Sequence, residues 1–286
     1  MTWRETIHKA ATFLESKNVP EAHTAGELLA ARLLKTGRGF LNAQLDREVA
    51  ENYLEAMRRG MRRLVEGEPL QYVLGEWDFR YLTLKCDPRA LIPRPETETL
   101  VQLALDFLKS QDITRPVVID VGTGTGAIIL SIAWEYKKDG VFIGTDISHK
   151  AITLARENAS RLGLEGRVKL AIGDGLDDFD EPESVDVIIS NPPYIKSSEC
   201  KILDSRVKDF EPINALDGGE NGIVFYDRYL SDAFNLLKPG GAVFFEIGHD
   251  QGEAVSTLMY EYGFSDISIK KDLCGKDRYA TCRLYG

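Results

Sequence analysis

After Pro116 the chain alternates between short apolar runs and segments with helical spacing, and this alternation constrains the fold more than any other feature. Strands that alternate with helices are typical of a parallel sheet with helices on both faces. The predicted strands are 117–121, 141–146, 168–172, 185–190 and 242–247. The predicted helices are 126–137, 148–162, 226–237 and 251–261. We therefore expect an α/β domain.

The last two apolar runs, 265–270 and 278–284, follow one another without a helical segment between them. Strands joined by a short connection form an antiparallel hairpin, so one of the two must oppose the other strands of the sheet. Together with the five strands before them, these runs predict a seven-stranded, mostly parallel sheet with one antiparallel strand.

The first quarter of the chain has a different pattern. Helical apolar spacing covers 3–17, 21–36 and the segment from Asp46 to about Glu66, which predicts a small helical domain. Short alternating runs then predict a hairpin that connects this domain to the α/β part. The predicted division is a helical domain at 1–75, a hairpin linker at 76–95 and the α/β domain at 96–286.

A basic stripe lies on the third predicted helix. Arg58, Arg59, Arg62 and Arg63 are spaced so that they share one side of a helix. Such a stripe is most simply a solvated face, and a surface that docks a partner is the alternative. We favour the solvated face.

The charge of the chain argues against duplex DNA as a partner. Its formal net charge is −10, and residues 1–75 carry 11 basic and 10 acidic side chains, so the remainder holds the acidic excess. Such a surface repels a polyanion unless a basic groove is built locally. No secretion signal or membrane-spanning run is evident, so we expect a cytoplasmic enzyme.

The cysteines do not indicate a metal site. Cys86, Cys200, Cys274 and Cys282 show no C-x-x-C spacing and have no histidine nearby in sequence. A zinc site needs such a cluster of ligands. We expect reduced thiols and no bound metal.

Polar and glycine residues follow three of the predicted strands, where open α/β folds bind ligands. The first strand is followed by Gly122, Thr123, Gly124, Thr125 and Gly126, and alternate glycines let a ligand approach the backbone closely. Asp146 ends the second strand, where a carboxylate can accept hydrogen bonds from ribose hydroxyls, although it could also cap a helix in competition with Ser148. The pair Asp174 and Gly175 follows the third strand and could border an adenine or form a simple turn.

The fourth strand is followed by Asn191, Pro192, Pro193 and Tyr194. The Asn191 carbonyl can accept a hydrogen bond from an amine or amide, and the prolines stiffen the chain and remove two competing donors. The Pro192 carbonyl is a second acceptor, and Tyr194 can stack on a flat group. The tetrapeptide indicates a clamp for a planar nitrogen, with a proline-rich turn as the simpler alternative.

These features favour S-adenosylmethionine as the cofactor. A nicotinamide dehydrogenase uses a similar loop and acidic residue, but its third glycine comes one residue later than Gly126. The four histidines are scattered, so no hydride-transfer arrangement is evident. The hairpin at the end of the chain also differs from the usual dehydrogenase sheet.

Six sequence segments together resemble the release factor glutamine methyltransferase family, the HemK/PrmC type, over essentially the whole chain. They are Pro69–Gly75 (PLQYVLG), Ile92–Glu98 (IPRPETE), Gly122–Gly126 (GTGTG), Asn191–Tyr194 (NPPY), and Phe210–Pro212 (FEP) with Ala215–Gly219 (ALDGG). The set is far more specific than NPPY, which adenine-N6 DNA methyltransferases also carry. The resemblance implies a class I S-adenosylmethionine-dependent methyltransferase fold, Rossmann-like, with an N-terminal helical substrate-recognition domain.

The resemblance also implies an activity. Members of the family methylate the side-chain amide nitrogen, N5, of the glutamine in the Gly-Gly-Gln motif of class I peptide chain release factors, which modulates translation termination. The implied partner of this chain is therefore a release factor, with no membrane and no direct nucleic-acid substrate, and we expect a monomer.

Residue roles follow from the same resemblance. The loop from Gly122 to Gly126 would wrap the methionine part of the cofactor, Asp146 would hold its ribose, and Asp174 with Gly175 would border the adenine. Many family members have a bulky aromatic residue where this chain has Gly175. Asn191 and the Pro192 carbonyl would grip the substrate amide beside the cofactor, with Pro193 and Tyr194 completing the substrate site.

Two other functions remain open from the sequence. An adenine-N6 nucleic-acid methyltransferase would flip a base into the same clamp, but the net charge opposes this function. A cofactor-binding scaffold without catalysis would use the sheet only for protein contacts.

Overall fold

A computed structural model describes residues 1–285 of the chain. It forms two compact units, one of residues 1–77 with 204–210, and one of residues 78–203 with the described chain from 211 onward. The helices are α1 (Trp3–Ser16), α2 (Ala22–Leu33), α3 (Glu51–Val65), α4 (Leu70–Leu74), α5 (Pro95–Ser110), α6 (Ala127–Glu135), α7 (His149–Arg161), α8 (Ser197–Cys200), α9 (Ser205–Lys208), α10 (Val224–Leu236) and α11 (Gly252–Glu261). The strands are β1 (Glu76–Phe79), β2 (Leu82–Lys85), β3 (Val117–Val121), β4 (Val141–Asp146), β5 (Val168–Ile172), β6 (Val185–Ser190), β7 (Leu237–Glu246), β8 (Ser265–Lys271) and β9 (Asp277–Arg283). No helix within residues 1–285 is both long and apolar enough to cross a bilayer.

The first unit, which we call the helical unit, packs α1, α2 and α3 around one apolar core. Trp3, Leu14, Leu29 and Met57 are among its buried residues. Helix α1 starts with a capping box, in which Thr2 accepts from the Glu5 N–H and the Glu5 carboxylate accepts from the Thr2 N–H. Such a box satisfies two main-chain donors at a helix start.

Helix α3 begins later than its apolar spacing predicts. Residues just before it pair with the start of the chain instead, since the Trp3 N–H donates to the Arg47 carbonyl and the Val49 N–H donates to the Met1 carbonyl. The segment from Asp46 to Ala50 is therefore extended or turned, and α3 starts at Glu51. These pairings provide hydrogen bonds for main-chain N–H and carbonyl groups that would otherwise be bonded within a longer helix.

Two of the four arginines on α3 form ion pairs inside the helical unit. Arg58 contacts Glu51 at 2.8 Å, and Arg63 contacts Glu68 at 2.5 Å. Arg63 also donates to the main-chain carbonyls of Tyr72 and Val73. The other two, Arg59 and Arg62, are exposed.

The second unit, which we call the sheet unit, contains a seven-stranded sheet in the order β5-β4-β3-β6-β7-β9-β8. Strands β3 to β7 pair in parallel, whereas β9 lies antiparallel to both of its neighbours, β7 and β8. The predicted sheet with one antiparallel strand is therefore confirmed. Strand β7 starts earlier than predicted, because Leu237 already pairs with Val185 before a register shift.

Alternate side chains of the central strands enter two apolar clusters, one on each face of the sheet. Val118, Val187 and Phe244 pack in the cluster that contains residues of α5 and α6. Their neighbours Ile119, Ile188 and Val243 pack in the cluster that contains residues of α10 and α11. The strands are thus buried on both faces, as in other doubly covered parallel sheets.

The order of the strands creates a switch point between β3 and β6. The chain adds β4 and β5 on one side of β3, then returns to place β6 on the other side. At such a point the connections leave in opposite directions and open a crevice at the carboxyl ends of the strands. The glycine loop follows β3 and the Asn-Pro-Pro-Tyr segment follows β6, so the two predicted motifs lie at adjacent strand ends.

Candidate active site

A cavity of about 460 Å³ lies in the sheet unit at this switch point. Its volume is within the usual range for small-molecule sites. Several predicted site residues line it, namely Gly122, Gly124, Asp146, Asp174, Gly175, Asn191 and Pro193. The remaining predicted site residues, Thr123, Thr125, Gly126, Pro192 and Tyr194, are not among the described residues that line it. The motifs at four strand ends therefore converge on one cavity.

A larger cavity of about 820 Å³ lies in the helical unit. Its two arginines are already paired, Arg4 with Asp46 and Arg38 with Glu27. None of the predicted site residues is among the described residues that line it. The smaller cavity is therefore the candidate active site, because size does not outweigh the chemistry of the lining.

The glycine loop is held to β4 by its main chain. The N–H groups of Gly122 and Thr123 both donate to the Thr145 carbonyl, at 2.9 and 2.8 Å. The loop ends at Gly126, whose φ of +84° favours glycine. A side chain at this position would also meet Leu130 at 2.8 Å. Helix α6 then starts directly after the loop.

Asp146 is joined to the glycine loop and to the turn that follows β4. Its Oδ2 accepts from the Gly124 N–H at 3.0 Å, and its Oδ1 accepts from the Ser148 N–H at 2.8 Å. Burial raises the pKa of the Asp146 carboxyl, while these two hydrogen bonds lower it. Ser148, and not Asp146, caps α7 through a bond to the Ala151 N–H. Because each carboxylate oxygen has two lone pairs, Asp146 can still accept two further hydrogen bonds.

Asp120 is a buried acid beneath the loop that the sequence motifs did not indicate. It is fully buried in β3, and its Oδ2 accepts from the Thr123 hydroxyl at 2.6 Å. Its Oδ1 makes no hydrogen bond of standard geometry among residues 1–285, although the Ile129 N–H of α6 lies close enough to lower the pKa of the carboxyl. Burial raises the pKa of Asp120 to about 7. A charged residue inside the apolar run of β3 was the available signal in the sequence.

Asn191 lines the cavity and is tied to the start of α5. Its Nδ2 donates to the Thr97 hydroxyl oxygen at 3.1 Å, which leaves its Oδ1 as an acceptor. The preceding residue, Ser190, donates its hydroxyl to the Val121 carbonyl at 2.6 Å. The two motifs at the switch point are therefore linked directly, immediately before Asn191.

Pro192 and Tyr194 belong to the segment Asn191–Tyr194, which we call the clamp segment, but they are not among the described residues that line the cavity. Pro192 is buried. The Tyr194 ring packs against the cluster below α10 and α11, and its hydroxyl accepts from Arg278 at 3.4 Å. Burial raises the pKa of Tyr194 to about 12. Its carbonyl accepts from the buried Gln251 side chain at 2.9 Å, which fixes the main chain after the prolines.

The Ala215–Gly219 motif packs directly on the clamp segment. The Ile195 N–H donates to the Leu216 carbonyl, and the Gly218 N–H donates back to Ile195. A Cβ at Gly218 would lie 2.7 Å from both the Pro193 carbonyl oxygen and the Tyr194 Cα. Only glycine allows this approach without a shift of the main chain.

The third predicted element, Asp174 with Gly175, is held by α10. Arg228 donates to the Asp174 carboxylate at 2.7 Å and to its carbonyl at 2.8 Å. Gly175 has a φ of +67°, and a Cβ there would meet the Tyr229 ring at 3.0 Å. Tyr229 and Phe225 both line the cavity, with ring centroids 5.9 Å apart. The aromatic surface at this end thus comes from α10, which the motifs did not indicate.

An ion-pair network holds the residues that follow β2 at the cavity. Arg89 contacts Asp87 at 2.8 Å and Glu157 of α7 at 2.7 Å. Hydrogen bonds from Arg89 and from Lys85 lower the pKa of Glu157 to about 2. Arg89, Ala90 and Leu91 all line the cavity. No sequence motif indicated them, because their position depends on partners distant in the chain.

Among residues 1–285, no three His, Cys, Asp or Glu side chains are grouped so that they could hold a metal ion. The cysteines of that part of the chain are unpaired, and Cys274 alone among them is exposed. Burial raises the pKa of the Cys86 thiol to about 12.

Two family models match separate segments of this chain. Residues 5–75 match the PrmC N-terminal domain, and residues 115–262 match a methyltransferase domain. Among solved structures, the catalytic domain of hMettl16 in complex with MAT2A 3′UTR hairpin 1 shares the fold, with a TM-score of 0.59, 15% identity and coverage of 90% of this chain and 91% of that chain. A methyltransferase from Pyrococcus furiosus gives a TM-score of 0.50, with 22% identity over 72% of this chain and 89% of that chain.

Curated relatives match over nearly the whole chain. The release factor glutamine methyltransferase of Clostridium acetobutylicum is 37% identical and covers 97% of each chain. That of Moorella thermoacetica is also 37% identical with 97% of each chain covered, and that of Clostridium botulinum is 33% identical over 100% of both. These relatives do not favour the adenine-N6 alternative. The chain belongs to the release factor glutamine methyltransferase family.

Proposed function

We propose that this chain transfers a methyl group from S-adenosylmethionine to N5 of the glutamine in the Gly-Gly-Gln motif of class I peptide chain release factors. One observation carries the proposal: Asn191 lines the cavity beside the glycine loop, with its NH2 group engaged and its carbonyl oxygen left to accept. An acceptor of this kind suits a substrate that presents an NH2 group.

The cavity residues fit an adenosyl cofactor. The glycine loop would border the methionine part, and the buried Asp120 supports that loop from below by accepting from the Thr123 hydroxyl. Asp146 would accept hydrogen bonds from the ribose hydroxyls with its remaining lone pairs. Asp174 and Gly175 would border the adenine, with Phe225 and Tyr229 of α10 as its aromatic wall. When bound, the cofactor supplies a methyl group activated by a sulfonium.

The glutamine nitrogen that receives the methyl group must be activated by the protein. The lone pair of an amide nitrogen is delocalised into its carbonyl, so the nitrogen is a poor nucleophile. The Asn191 Oδ1 and the Pro192 carbonyl would each accept one N–H of the glutamine amide and favour the increasingly positive nitrogen of the transition state. No general base is required before transfer, and orientation alone can contribute roughly 7–11 kcal/mol.

We assign recognition of the release factor to the helical unit and to the segment 195–224, which follows the clamp. Residues 204–210 of this segment belong to the helical unit. Within that unit Gly67 comes close to the Phe210 ring. Part of the segment that follows the clamp therefore belongs to the unit that contains the match to the PrmC N-terminal domain.

Methyl transfer to three substrates tests the proposal. The full chain is incubated with methyl-labelled S-adenosylmethionine and a purified class I release factor, a release factor with the Gly-Gly-Gln glutamine replaced by alanine, or duplex DNA. We expect label in the first only, mapped by mass spectrometry to the glutamine side chain. Label in DNA, or cofactor binding without transfer to the release factor, would overturn the proposal.

A further inference from the structure

Asn191 is the first member of a series of hydrogen-bonded side chains that leads from the cavity into the protein interior. Its Nδ2 donates to the Thr97 Oγ1 at 3.1 Å, and the Thr97 hydroxyl donates to the Glu246 Oε2 at 2.6 Å. Thr97 is 4% exposed and Glu246 is 1% exposed. We propose that Thr97 and Glu246 are positioning residues that hold the Asn191 carboxamide with its oxygen toward the substrate amide. This inference rests on the proposed function.

The direction of each hydrogen bond follows from the number of available protons. An ionised carboxylate can only accept, so the Thr97 hydroxyl must use its one proton on Glu246. The Thr97 oxygen can then only accept from Asn191, which must present its NH2 group. A carboxamide has two orientations of nearly the same shape, and the hydrogen-bond network decides between them. Glu246 therefore selects the orientation of Asn191 through Thr97.

The inverted carboxamide would be unproductive. Its oxygen would face the Thr97 oxygen with no proton between them, and its NH2 group would face the NH2 group of the substrate. Two donors that face each other cannot form a hydrogen bond, and a desolvated unpaired donor is unfavourable. The chain Asn191–Thr97–Glu246 thus stabilises the one orientation in which the clamp can work.

The Ile92–Glu98 segment places Thr97, although its residues alone indicated no role. Pro95 begins α5 and Thr97 lies in its first turn. The segment before the helix is held by the buried Glu211, which accepts from the Ile92 N–H at 3.1 Å and from Arg94 at 2.6 Å. Thr97 is therefore presented by an anchored helix start, as a positioning residue requires.

The ionisation of Glu246 makes the orientation of the Asn191 carboxamide sensitive to pH. Burial raises the pKa of Glu246 to about 7, while the hydrogen bond from Thr97 lowers it. Its charged and titratable neighbours are Arg94 just before α5, Glu96 in the first turn of α5, Arg278 and Tyr279 of β9, Tyr194 of the clamp segment and Tyr226 of α10. A protonated Glu246 can donate to Thr97, which frees the Thr97 proton for the Asn191 oxygen and permits the inverted carboxamide. Turnover should therefore fall as the pH falls through about 7.

A set of isosteric variants tests the inference on the full chain with a release factor as substrate. Thr97→Val removes the hydroxyl at nearly constant volume, Thr97→Ser keeps it, and Glu246→Gln removes the obligatory acceptor. Ser131→Ala is the control, because Ser131 is a buried hydroxyl of the sheet unit without a hydrogen-bond partner among residues 1–285. For each protein, kcat and KM are measured between pH 5.5 and 8.5, and the Kd for S-adenosylmethionine is measured separately.

We expect Thr97→Val to lower kcat about tenfold to a hundredfold, as misplaced catalytic groups do, with cofactor Kd and release-factor KM within about threefold of wild type. Thr97→Ser and Ser131→Ala should keep kcat within about threefold. Glu246→Gln should lower the kcat plateau by about tenfold and lose the decline below pH 7. A role in stability alone would change the thermal melting temperature but not this pH profile.

Two results would overturn the inference while leaving the proposed function intact. One is wild-type kcat in a Thr97→Val protein that binds the cofactor normally, and the other is an unchanged acidic decline in Glu246→Gln. If Thr97→Val does not bind the cofactor, the pH profile of Glu246→Gln decides. A wild-type chain that fails to methylate the release factor overturns the proposed function instead, and the positioning role falls with it.

Discussion

The two sides of the candidate active site depend on different chemical groups, main-chain N–H groups on one side and side chains on the other. One side, which we call the loop side, comprises Asp120 to Gly126 with Asp146, and its hydrogen bonds are mostly made by main-chain N–H groups. The other, the clamp side, comprises Asn191, Thr97 and Glu246 and depends on three side chains in series. Main-chain donors tolerate substitution of their neighbours, whereas a series of side chains fails when any member changes. Variants on the loop side should therefore alter cofactor affinity, and variants on the clamp side should alter turnover.

The largest effect is expected from Asn191→Ala on the clamp side. Loss of one acceptor for the transition state should lower kcat by about a hundredfold to a thousandfold, equivalent to about 3–4 kcal/mol. The cofactor Kd should stay within about threefold of wild type, because the loop side is unchanged. Steady-state kinetics and calorimetry measure the two quantities, with the exposed Asn235→Ala as control. A rise in Kd that matches the loss in kcat would remove the distinction between the two sides.

Asp120→Asn tests the loop side through stability. The pKa of Asp120 is raised to about 7 in the folded chain, so the folded state binds a proton that the unfolded state releases at lower pH. The unfolding free energy of the wild type should consequently fall as the pH rises from about 4 to 7. A shift of about three pKa units corresponds to at most roughly 4 kcal/mol.

The asparagine variant lacks this titration. Relative to wild type, Asp120→Asn should therefore gain stability between pH 4 and 8, as measured by urea unfolding without cofactor. A difference in unfolding free energy that is constant over this range would show that the carboxyl has the same pKa in both states.

Asp146→Ala should produce the opposite kinetic result to Asn191→Ala. If Asp146 accepts from the ribose hydroxyls as proposed, removal of its carboxylate should weaken cofactor binding by about tenfold to thirtyfold. At saturating cofactor, kcat should stay near the wild-type value, because the clamp side is intact. The exposed Asp139→Ala is the control. A large loss of kcat at saturating cofactor would mean that Asp146 also positions the clamp.

Gly218→Ala should cost about 1–3 kcal/mol of stability. The new methyl group would overlap the main chain at Pro193 and Tyr194, since its Cβ would lie 2.7 Å from their atoms. A fall in thermal melting temperature of several degrees, with a lower kcat, is expected. Gly166→Ala is the matched control, because a Cβ there meets nothing within 4 Å. Equal melting temperatures would show that the clamp segment can shift without cost.

Apart from Asp120, the loop side could be predicted from the sequence because its parts are local. The glycine loop and Asp146 follow consecutive strands, and the rule that ligands bind at carboxyl ends brings them together. Asn191 was predicted in the same way. The structure agrees with that convergence, since all three lie at one cavity.

The support of the clamp could not be predicted in this way. Thr97 and Glu246 are 149 residues apart, and Thr97 and Asn191 are 94 residues apart. Nothing in the spacing of a motif indicates which distant side chain will meet it. The close approach at Gly218 and the assignment of residues 204–210 to the helical unit are likewise products of tertiary packing. The aromatic wall from α10 was missed for the same reason.

Because β3 and β6 are neighbours in the sheet, the loop side and the clamp side share one ladder of main-chain hydrogen bonds. Adjacent strands are held roughly 4.8 Å apart, and this spacing resists shear far better than loops do. Thermal motion of the surrounding connections would therefore move the methyl donor and the methyl acceptor together rather than apart. The distance that the transferred group would cross is thus set by two hydrogen-bonded strands.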